Sequence, residues 1–302
     1  MAKAVLTTKV DPTYDDLPEE RYHFPRTYLR QIEAASGDFV VYYEPRRVSG
    51  DLSSTGGRQA YFATARVANI VPDRTRADHF YALIDSYLEF ARPVPFREGW
   101  SYYESALHRD DGATNKGAFG RAVRALPDAE YENILRAGFA SVLNEEQPTT
   151  STEAEPFGGF AEPQATFERP IVERLVARPF REAAFSGSIK AAYNGTCAFT
   201  GLKIINGGGR SEVQAAHIRP VAASGPDSLR NGLALCGTVH WMFDRGLISI
   251  ADNHDLLFAK EKVPDSVMRI VNAERRLLAP TRLDQAPHPM FLRWHRENVF
   301  KG

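Results

Sequence analysis

Four polar side chains in the last third of the chain have a spacing that could carry metal-assisted hydrolysis. His217 ends the apolar run of EVQAAHIRPVAASG (212–225), and Asn231 follows, then His240, and Asp244 four positions later. If 238–245 is a helix, His240 and Asp244 lie on one face of it, because positions i and i+4 stack. An imidazole and a carboxylate on one face can ligate a divalent cation that accepts nitrogen and oxygen.

The other two residues suit supporting roles in the same chemistry. His217, at the end of a strand, could act as general base on a water molecule. Asn231 offers both donors and an acceptor, so its amide could brace the histidine or a loop. A single histidine is more often structural than catalytic, and Asp244 could be a surface carboxylate paired with a neighbouring arginine. The joint spacing of the four residues is what predicts a catalytic site.

These residues require a particular set of elements in the C-terminal part. Residues 167–194 read as helices interrupted at Pro179. CAFTG (197–201) is predicted as a strand, followed by a glycine-rich turn, the strand VQAAHI, a loop and the short helix. LISI and DLLFA, separated by a turn, then predict a hairpin.

The first half of the chain is dominated by strand signals. The β-branched and aromatic segments GDFVVYYEPRR (37–47) and QAYFATARVANIVPD (59–73) are predicted strands. A helix is predicted over 79–91 and a second, amphipathic one over 128–143, where acidic residues occupy the first turn. We therefore expect an α+β fold whose N-terminal domain has a curved sheet or small barrel.

A composition change divides the chain. NEEQPTTSTEAEPFGGFAEP (144–163) is rich in Glu, Thr, Pro and Gly and lacks apolar periodicity, as linkers do. The predicted organisation is an N-terminal domain at 1–143, a linker at 144–165 and a C-terminal domain at 166–302.

Bulk composition narrows the class of protein. The chain has 302 residues, a net charge of -1 and only two cysteines, Cys197 and Cys236. It has no apolar run of bilayer length and no secretory leader pattern, so we expect a cytoplasmic protein with no membrane partner. Two cysteines cannot build a four-cysteine site, so no structural zinc is predicted. A net charge near zero is compatible with basic patches on parts of the surface.

The C-terminal motif resembles the HNH nucleases, the ββα-metal or His-Me finger group. AAHIRP, NGLALC and VHWMFDRGLISI carry the resemblance, which covers residues 193–255. It implies a C-terminal ββα-metal finger flanked by helices, with catalytic residues His217, Asn231 and His240. His217 would be the general base, and His240 and Asp244 would hold one Mg²⁺, Mn²⁺ or Ni²⁺ ion. Many members carry another ligand just before the first histidine, where this chain has Ala216.

The N-terminal segments resemble the PUA-like superfamily, and most closely its EVE branch. GDFVVYYEPRR, YFATARVANIVPD and ARPVPFRE carry this looser resemblance over residues 20–140. It implies a domain that binds modified nucleobases, with an extruded base held against aromatic rings. Tyr43 and Trp100 are the preferred aromatic pair for that pocket, and Arg46 and Arg47 are expected to contact phosphates.

The two resemblances together imply a modification-dependent, type IV-like restriction endonuclease. Its expected partner is double-stranded DNA containing 5-methyl- or 5-hydroxymethylcytosine, read by base flipping. A homodimer is expected, because cutting two strands usually needs two active sites. Two alternatives remain open: a DNA reader with an inactive finger, and an HNH nuclease that cuts unmodified DNA or acts as a toxin.

Overall fold

A computed structural model describes residues 3–12, 14–145 and 171–302. The predicted linker, 144–165, lies outside the described residues except for its first two positions. Within the described residues, no helix is both long enough and apolar enough to cross a membrane.

The N-terminal part is built on one curled, mixed sheet of six strands. Its order is β2-β5-β4-β3-β1-β8, and β1 and β3 run parallel whereas the other neighbours run antiparallel. A separate two-stranded ribbon, β6-β7, projects from it. The strands are β1 (Lys3–Thr7), β2 (Arg21–Pro25), β3 (Phe39–Glu44), β4 (Ala60–Pro72), β5 (His79–Pro95), β6 (Arg97–Glu98), β7 (Ser101–Tyr102) and β8 (Val123–Leu126). The α+β class and the curved sheet are confirmed.

The helix predicted over 79–91 is wrong, because this segment is the first part of strand β5. The register between β4 and β5 shifts three times, and Ser86 within β5 has a φ of 51°. Each bulge adds a residue to one strand and breaks the period-two alternation of inward and outward side chains. The apolar residues of HFYALIDSYLEFA consequently fall at helix-like intervals although their backbone pairs with β2 and β4.

A buried ion pair joins the sheet to the segment that follows the β6-β7 ribbon. The Arg124 guanidinium donates to both carboxylate oxygens of Glu104 at 2.7 Å, and the Tyr61 hydroxyl donates to the same carboxylate at 2.6 Å. The Arg124 and Glu104 side chains are 2% and 1% exposed. Arg124 also lies over the ring of Tyr43, 5.3 Å from its centroid. Such a pair tolerates loss of neither partner, because the other would remain charged without water.

Helix α6 connects the two halves of the molecule. Its Phe180 and Ala184 belong to the core beneath the sheet, whereas Phe185 and Ile189 belong to the core of the C-terminal part. The helices are α1 (Leu29–Ala34), α2 (Lys116–Phe119), α3 (Asp128–Gly138), α4 (Ala140–Glu145), α5 (Ile171–Leu175), α6 (Arg178–Ala192), α7 (Gly237–Asp244), α8 (Asp265–Met268) and α9 (Pro289–Asn298). The predicted interruption of the helices at Pro179 is confirmed, because α5 ends at Leu175 and Pro179 lies in the first turn of α6.

The C-terminal part contains a ββα unit followed by a hairpin. Strands β9 (Gln214–His217) and β10 (Gly232–Leu235) pair antiparallel, and α7 follows directly. Strands β11 (Ile248–Ile250) and β12 (Leu256–Phe258) form the predicted hairpin. The strand predicted at CAFTG is wrong: that segment turns back on itself, and Gly201 donates to the carbonyl of Cys197 at 2.9 Å.

Helix α9 closes the C-terminal core through His295. The imidazole is 2% exposed and stacks on Phe243 of α7, with ring centroids 3.8 Å apart. Its Nδ1 pairs with the Ser249 hydroxyl at 2.9 Å, and its Nε2 donates to the Phe243 carbonyl at 3.1 Å. Burial lowers the pKa of His295 to about 4. The imidazole therefore ties the end of α7 to the hairpin in its neutral form.

Replacement of Arg124 by Met is expected to destabilise the protein by about 3–5 kcal/mol, because the Glu104 carboxylate would stay buried without its cation. Urea unfolding measures this change. Arg109→Met is the matched control, because Arg109 pairs with Asp111 on the surface and such pairs contribute about 1 kcal/mol or less. Equal losses in the two variants would contradict a stabilising role for the buried pair.

His295 is expected to make the protein acid-sensitive. Its folded-state pKa lies below the unfolded value of roughly 6.5, so its contribution is complete above that pH and declines as pH falls towards about 4. The free energy of unfolding should drop by about 2 kcal/mol between pH 7 and pH 5 on this account. His295→Gln should show a smaller drop than the wild type, and the exposed His108→Gln should not. An undiminished drop in His295→Gln would exclude His295 as its source.

Candidate active site

His217, His240 and Asp244 line one cleft of about 630 Å³ on the C-terminal part. The cleft lies between strand β9, helix α7, the loop after β9 and the start of α6. Three of the four residues selected from the sequence are thus brought to one surface. The fourth, Asn231, is fully buried behind it.

His217 is fixed on two sides. Its ring stacks on Phe185 of α6, with centroids 3.8 Å apart and planes 12° from parallel. Its Nε2 lies 2.8 Å from Oδ1 of Asp227. An ionised carboxylate only accepts hydrogen bonds, so Nε2 carries the proton and Nδ1 keeps a lone pair. The ring is therefore held in the tautomer that can take a proton at Nδ1.

Asn231 shapes the loop that joins strands β9 and β10. Its Oδ1 accepts from the Arg219 amide at 2.9 Å, and its Nδ2 donates to the carbonyls of Arg219 and Pro226 at 3.0 and 2.9 Å. These bonds span both ends of the loop. The residue immediately after Pro226 is Asp227, so the amide fixes the backbone that presents this carboxylate to His217.

His240 and Asp244 are suited to share a cation. Nε2 of His240 lies 3.5 Å from Oδ2 of Asp244. Two ligand atoms that are each roughly 2.0–2.2 Å from one ion must lie within about 4.4 Å of each other, so this separation fits. Nδ1 of His240 lies 2.7 Å from Oε1 of Gln214. Donation from Nδ1 to that amide oxygen leaves the Nε2 lone pair for a metal, as outer hydrogen bonds do at metal sites.

The protein supplies few ligands to such an ion. Within the described residues, no group of three or more His, Cys, Asp or Glu side chains could hold a metal. Ala216, the residue directly before His217, is fully buried in the C-terminal core. Cys197 and Cys236 are free thiols buried in the same core.

The two aromatic residues selected for a base pocket lie in different surroundings. Tyr43 is only 1% exposed, and its ring packs edge-on against Tyr61 and Phe119 beneath Arg124. Trp100, at the turn of the β6-β7 ribbon, is 85% exposed. A ring this buried, with the Arg124 guanidinium over it, has no face free for a nucleobase. Trp100 offers an open ring without a pocket around it.

Arg46 and Arg47 border a different cavity of about 600 Å³ at one end of the N-terminal sheet. Both arginines are exposed. The other cations at this cavity are Lys9, Lys116 and Arg121, and its partly exposed rings are Tyr14, Tyr28 and Phe119. The cavity also contains the carboxyl of Asp16, which accepts from the amide of His23 at 2.8 Å. Desolvation raises the pKa of Asp16 to about 6.

Sequence reasoning did not identify three residues in and around this cleft. Asp227 and Gln214 contact the two histidines, and Arg181 of α6 binds the Asp227 carboxylate at 2.6 Å. Gln214 could have been found, since it lies in the strand that ends at His217. Asp227 and Arg181 have no comparable signal. Asp227 meets His217, and Arg181 meets Asp227, only after the loop closes and α6 packs on strands β9 and β10.

Comparisons with known proteins address the same segment. Residues 197–251 match the sequence model of a family described as HNH endonuclease. A solved structure of a modification-dependent TagI restriction endonuclease aligns over 98% of this chain and 81% of its own, at 16% identity and a TM-score of 0.32. The type IV phosphorothioation-dependent restriction endonuclease ScoMcrA aligns over 80% and 52%, at 12% identity and a TM-score of 0.19. Among curated proteins, none matches significantly.

At TM-scores this low, the two structural likenesses support no inference about the target of this chain. The family match covers the ββα unit and all four residues selected for chemistry. The protein is an enzyme that carries an HNH endonuclease domain at residues 197–251.

Proposed function

We propose that the protein is a modification-dependent, type IV-like restriction endonuclease that hydrolyses phosphodiesters in DNA containing modified cytosine. The observation that carries the nuclease assignment is that His217 lines one cleft together with the pair His240 and Asp244. The modified target is proposed from the basic, aromatic cavity of the N-terminal sheet. The enzyme would act as a homodimer, because double-strand cleavage needs one active site for each strand.

His217 is proposed as the general base. Asp227 holds Nε2 as a donor, so Nδ1 can accept a proton from a water molecule in the cleft. Stacking on Phe185 prevents the ring from rotating away from that water. The loop carrying Asp227 is in turn held by Asn231, so removal of its amide would act on catalysis indirectly.

His240 and Asp244 are proposed to hold one divalent cation, Mg²⁺, Mn²⁺ or Ni²⁺. When bound, such an ion supplies positive charge to the phosphate and the departing oxygen. Gln214 keeps the His240 ring oriented towards Asp244. With two protein ligands, binding of the ion should be weak without DNA, because water and phosphate oxygens must complete its coordination.

The cavity beside Arg46 and Arg47 is proposed as the pocket for an extruded base. Its five cations outnumber its single carboxyl, so it attracts a polyanion although the whole chain has a net charge of -1. The exposed arginines at its rim are placed to bind phosphates. Stacking on its aromatic rings can offset the few kcal/mol that unstacking a base costs, since each stacked ring contributes about 1–3 kcal/mol.

Asp16 is the group in this cavity best suited to select cytosine. A carboxylate accepts a hydrogen bond from the exocyclic amine of cytosine, whereas thymine presents a carbonyl oxygen at the same position. With a pKa of about 6, Asp16 is mostly ionised at neutral pH. The amide of His23 and the hydroxyl of Thr8 orient the carboxyl at 2.8 and 3.3 Å. Trp100 stays a second, lower-ranked candidate for stacking on DNA outside this pocket.

A plasmid digest tests the proposed activity. In Mg²⁺ or Mn²⁺, the enzyme should cut plasmid carrying 5-methyl- or 5-hydroxymethylcytosine and leave unmodified plasmid intact. His217→Ala should lower the rate by about 100-fold or more, because general-base catalysis contributes at least that factor, and chelation by EDTA should abolish cutting.

The alternatives give different results in the same digest. Equal cutting of both plasmids would favour a nuclease for unmodified DNA. DNA that is shifted in a gel but never cut, by wild type and His217→Ala alike, would favour a reader whose finger is inactive. Either outcome contradicts modification-dependent cleavage.

Asp16→Asn tests the base pocket separately from the nuclease. Binding to a duplex with one modified cytosine should weaken about 10-fold or more, because a charged acceptor for the cytosine amine is lost. Gel shifts in EDTA measure this, with Asp110→Asn as the control since Asp110 is an exposed carboxylate elsewhere in the domain. A loss of the same size on a duplex with thymine at that position would show that Asp16 does not read the cytosine amine.

A further inference from the structure

The carboxylate that orients His217 is itself anchored to the N-terminal sheet. Asp227 is largely buried, with 7% of its side chain exposed, and its Oδ1 faces the imidazole at 2.8 Å. Its Oδ2 receives Nε and a terminal amino group of Arg181 at 2.8 and 2.6 Å. A buried carboxylate with both oxygens used in this way cannot rotate without breaking a charge-assisted bond.

Arg181 makes two further hydrogen bonds to strand β5 and one to the carbonyl of Leu175 at 3.3 Å. One terminal amino group donates to the carbonyl of Ser86 at 3.0 Å, and the other donates to the carbonyl of Tyr87 at 2.7 Å. A guanidinium has five donors in a planar fork, so it can hold a carboxylate and two carbonyls in one arrangement. A lysine ammonium has three donors and no fixed plane, so it cannot reproduce this bridge.

Next to Arg181, main-chain contacts form a second connection between Asp227 and strand β5. The amide of Glu89 donates to the carbonyl of Asp227 at 3.4 Å, and Leu88 forms a β-bridge with Asp227. Oε2 of Glu89 accepts from the amide of Leu229 at 3.0 Å. Asp227 and Leu229 are therefore both bonded to β5, the second strand from one edge of the N-terminal sheet.

We propose that strand β5 is part of the nuclease active site, with Asp227 as a positioning residue for His217 and Arg181 as its link to β5. This proposal rests on the proposed role of His217 as general base. Displacement of β5 would move the carboxylate away from Nε2 and release the imidazole from the tautomer that it needs. The N-terminal sheet thus controls the orientation of the His217 imidazole directly, through the hydrogen bonds that the carbonyls of Ser86 and Tyr87 accept.

Two variants of the full chain test the proposal on modified plasmid. Asp227→Asn should lower kcat by about 100-fold or more, since an amide in place of an orienting carboxylate can fix the wrong tautomer. Arg181→Lys should lower kcat by about 10-fold, because the carboxylate stays but loses its fork-shaped anchor. KM and the affinity in gel shifts should stay within about twofold of wild type for both, because neither change alters the proposed DNA-binding cavity.

Matched controls come from an exposed ion pair in the same domain, Asp255 with Arg276 at 3.4 Å. Asp255→Asn and Arg276→Lys repeat the two chemical changes away from the cleft and should leave kcat unchanged. Wild-type kcat in Asp227→Asn would overturn the positioning role. Wild-type kcat in Arg181→Lys, with a loss in Asp227→Asn, would overturn the link to the sheet.

A spectroscopic measurement keeps the test independent of cleavage. A ring proton on Nε2 that is bonded to a carboxylate should give a downfield ¹H resonance, absent from His217→Ala and lost or moved upfield in Asp227→Asn. If no plasmid is cut but this resonance behaves as stated, the proposed function fails while the positioning contact stands. If the resonance is unchanged in Asp227→Asn, the contact itself is refuted.

Discussion

The close approach of helix α6 to Gly232 is the constraint on which the active site depends. A Cβ atom at this position would lie 2.2 Å from the Cδ1 atom of Ile189 and 2.9 Å from the ring of Phe185. Only glycine lets α6 pack this tightly on strand β10, directly opposite His217 in the register of the hairpin. That packing brings Phe185 onto the imidazole and Arg181 to Asp227. The asparagine–glycine pair in RNGLALC therefore has two structural roles: the asparagine shapes the loop, and the glycine allows the helix to pack closely.

The parts of the site that the sequence predicted are those set by local geometry. His240 and Asp244 share a helix face because of the 3.6-residue period, and the structure places them 3.5 Å apart. His217 ends a strand, and that strand pairs with the segment after Asn231. The contact between Asp227 and His217 could not be predicted, because nothing in the sequence of the loop indicates which of its polar residues turns inward. Its partnership depends on a helix that begins almost fifty residues earlier in the chain.

The fold class could be predicted from the sequence, but the longest strand could be predicted less well. Continuous runs of β-branched and aromatic residues, such as Phe39–Glu44 of β3, were identified as strands, and every residue of this run is buried. Strand β5 was mistaken for a helix because bulges interrupt its alternation. The same irregularity has a use: Ser86, with its positive φ, lies beside the carbonyls that bind Arg181. A strand without that deviation would present its carbonyls only to neighbouring strands, as in any regular ladder.

Helix α6 makes the two halves of the molecule parts of one mechanism. Because Phe180 packs under the sheet and Phe185 packs on His217, the helix cannot shift relative to one core without disturbing the other. Strong binding of DNA at the sheet would consequently affect the position of the His217 imidazole, both through this packing and through the Arg181 bridge. Under the proposed function, the anchoring of His217 to the N-terminal sheet would give that sheet a physical means of favouring or disfavouring cleavage once DNA is bound.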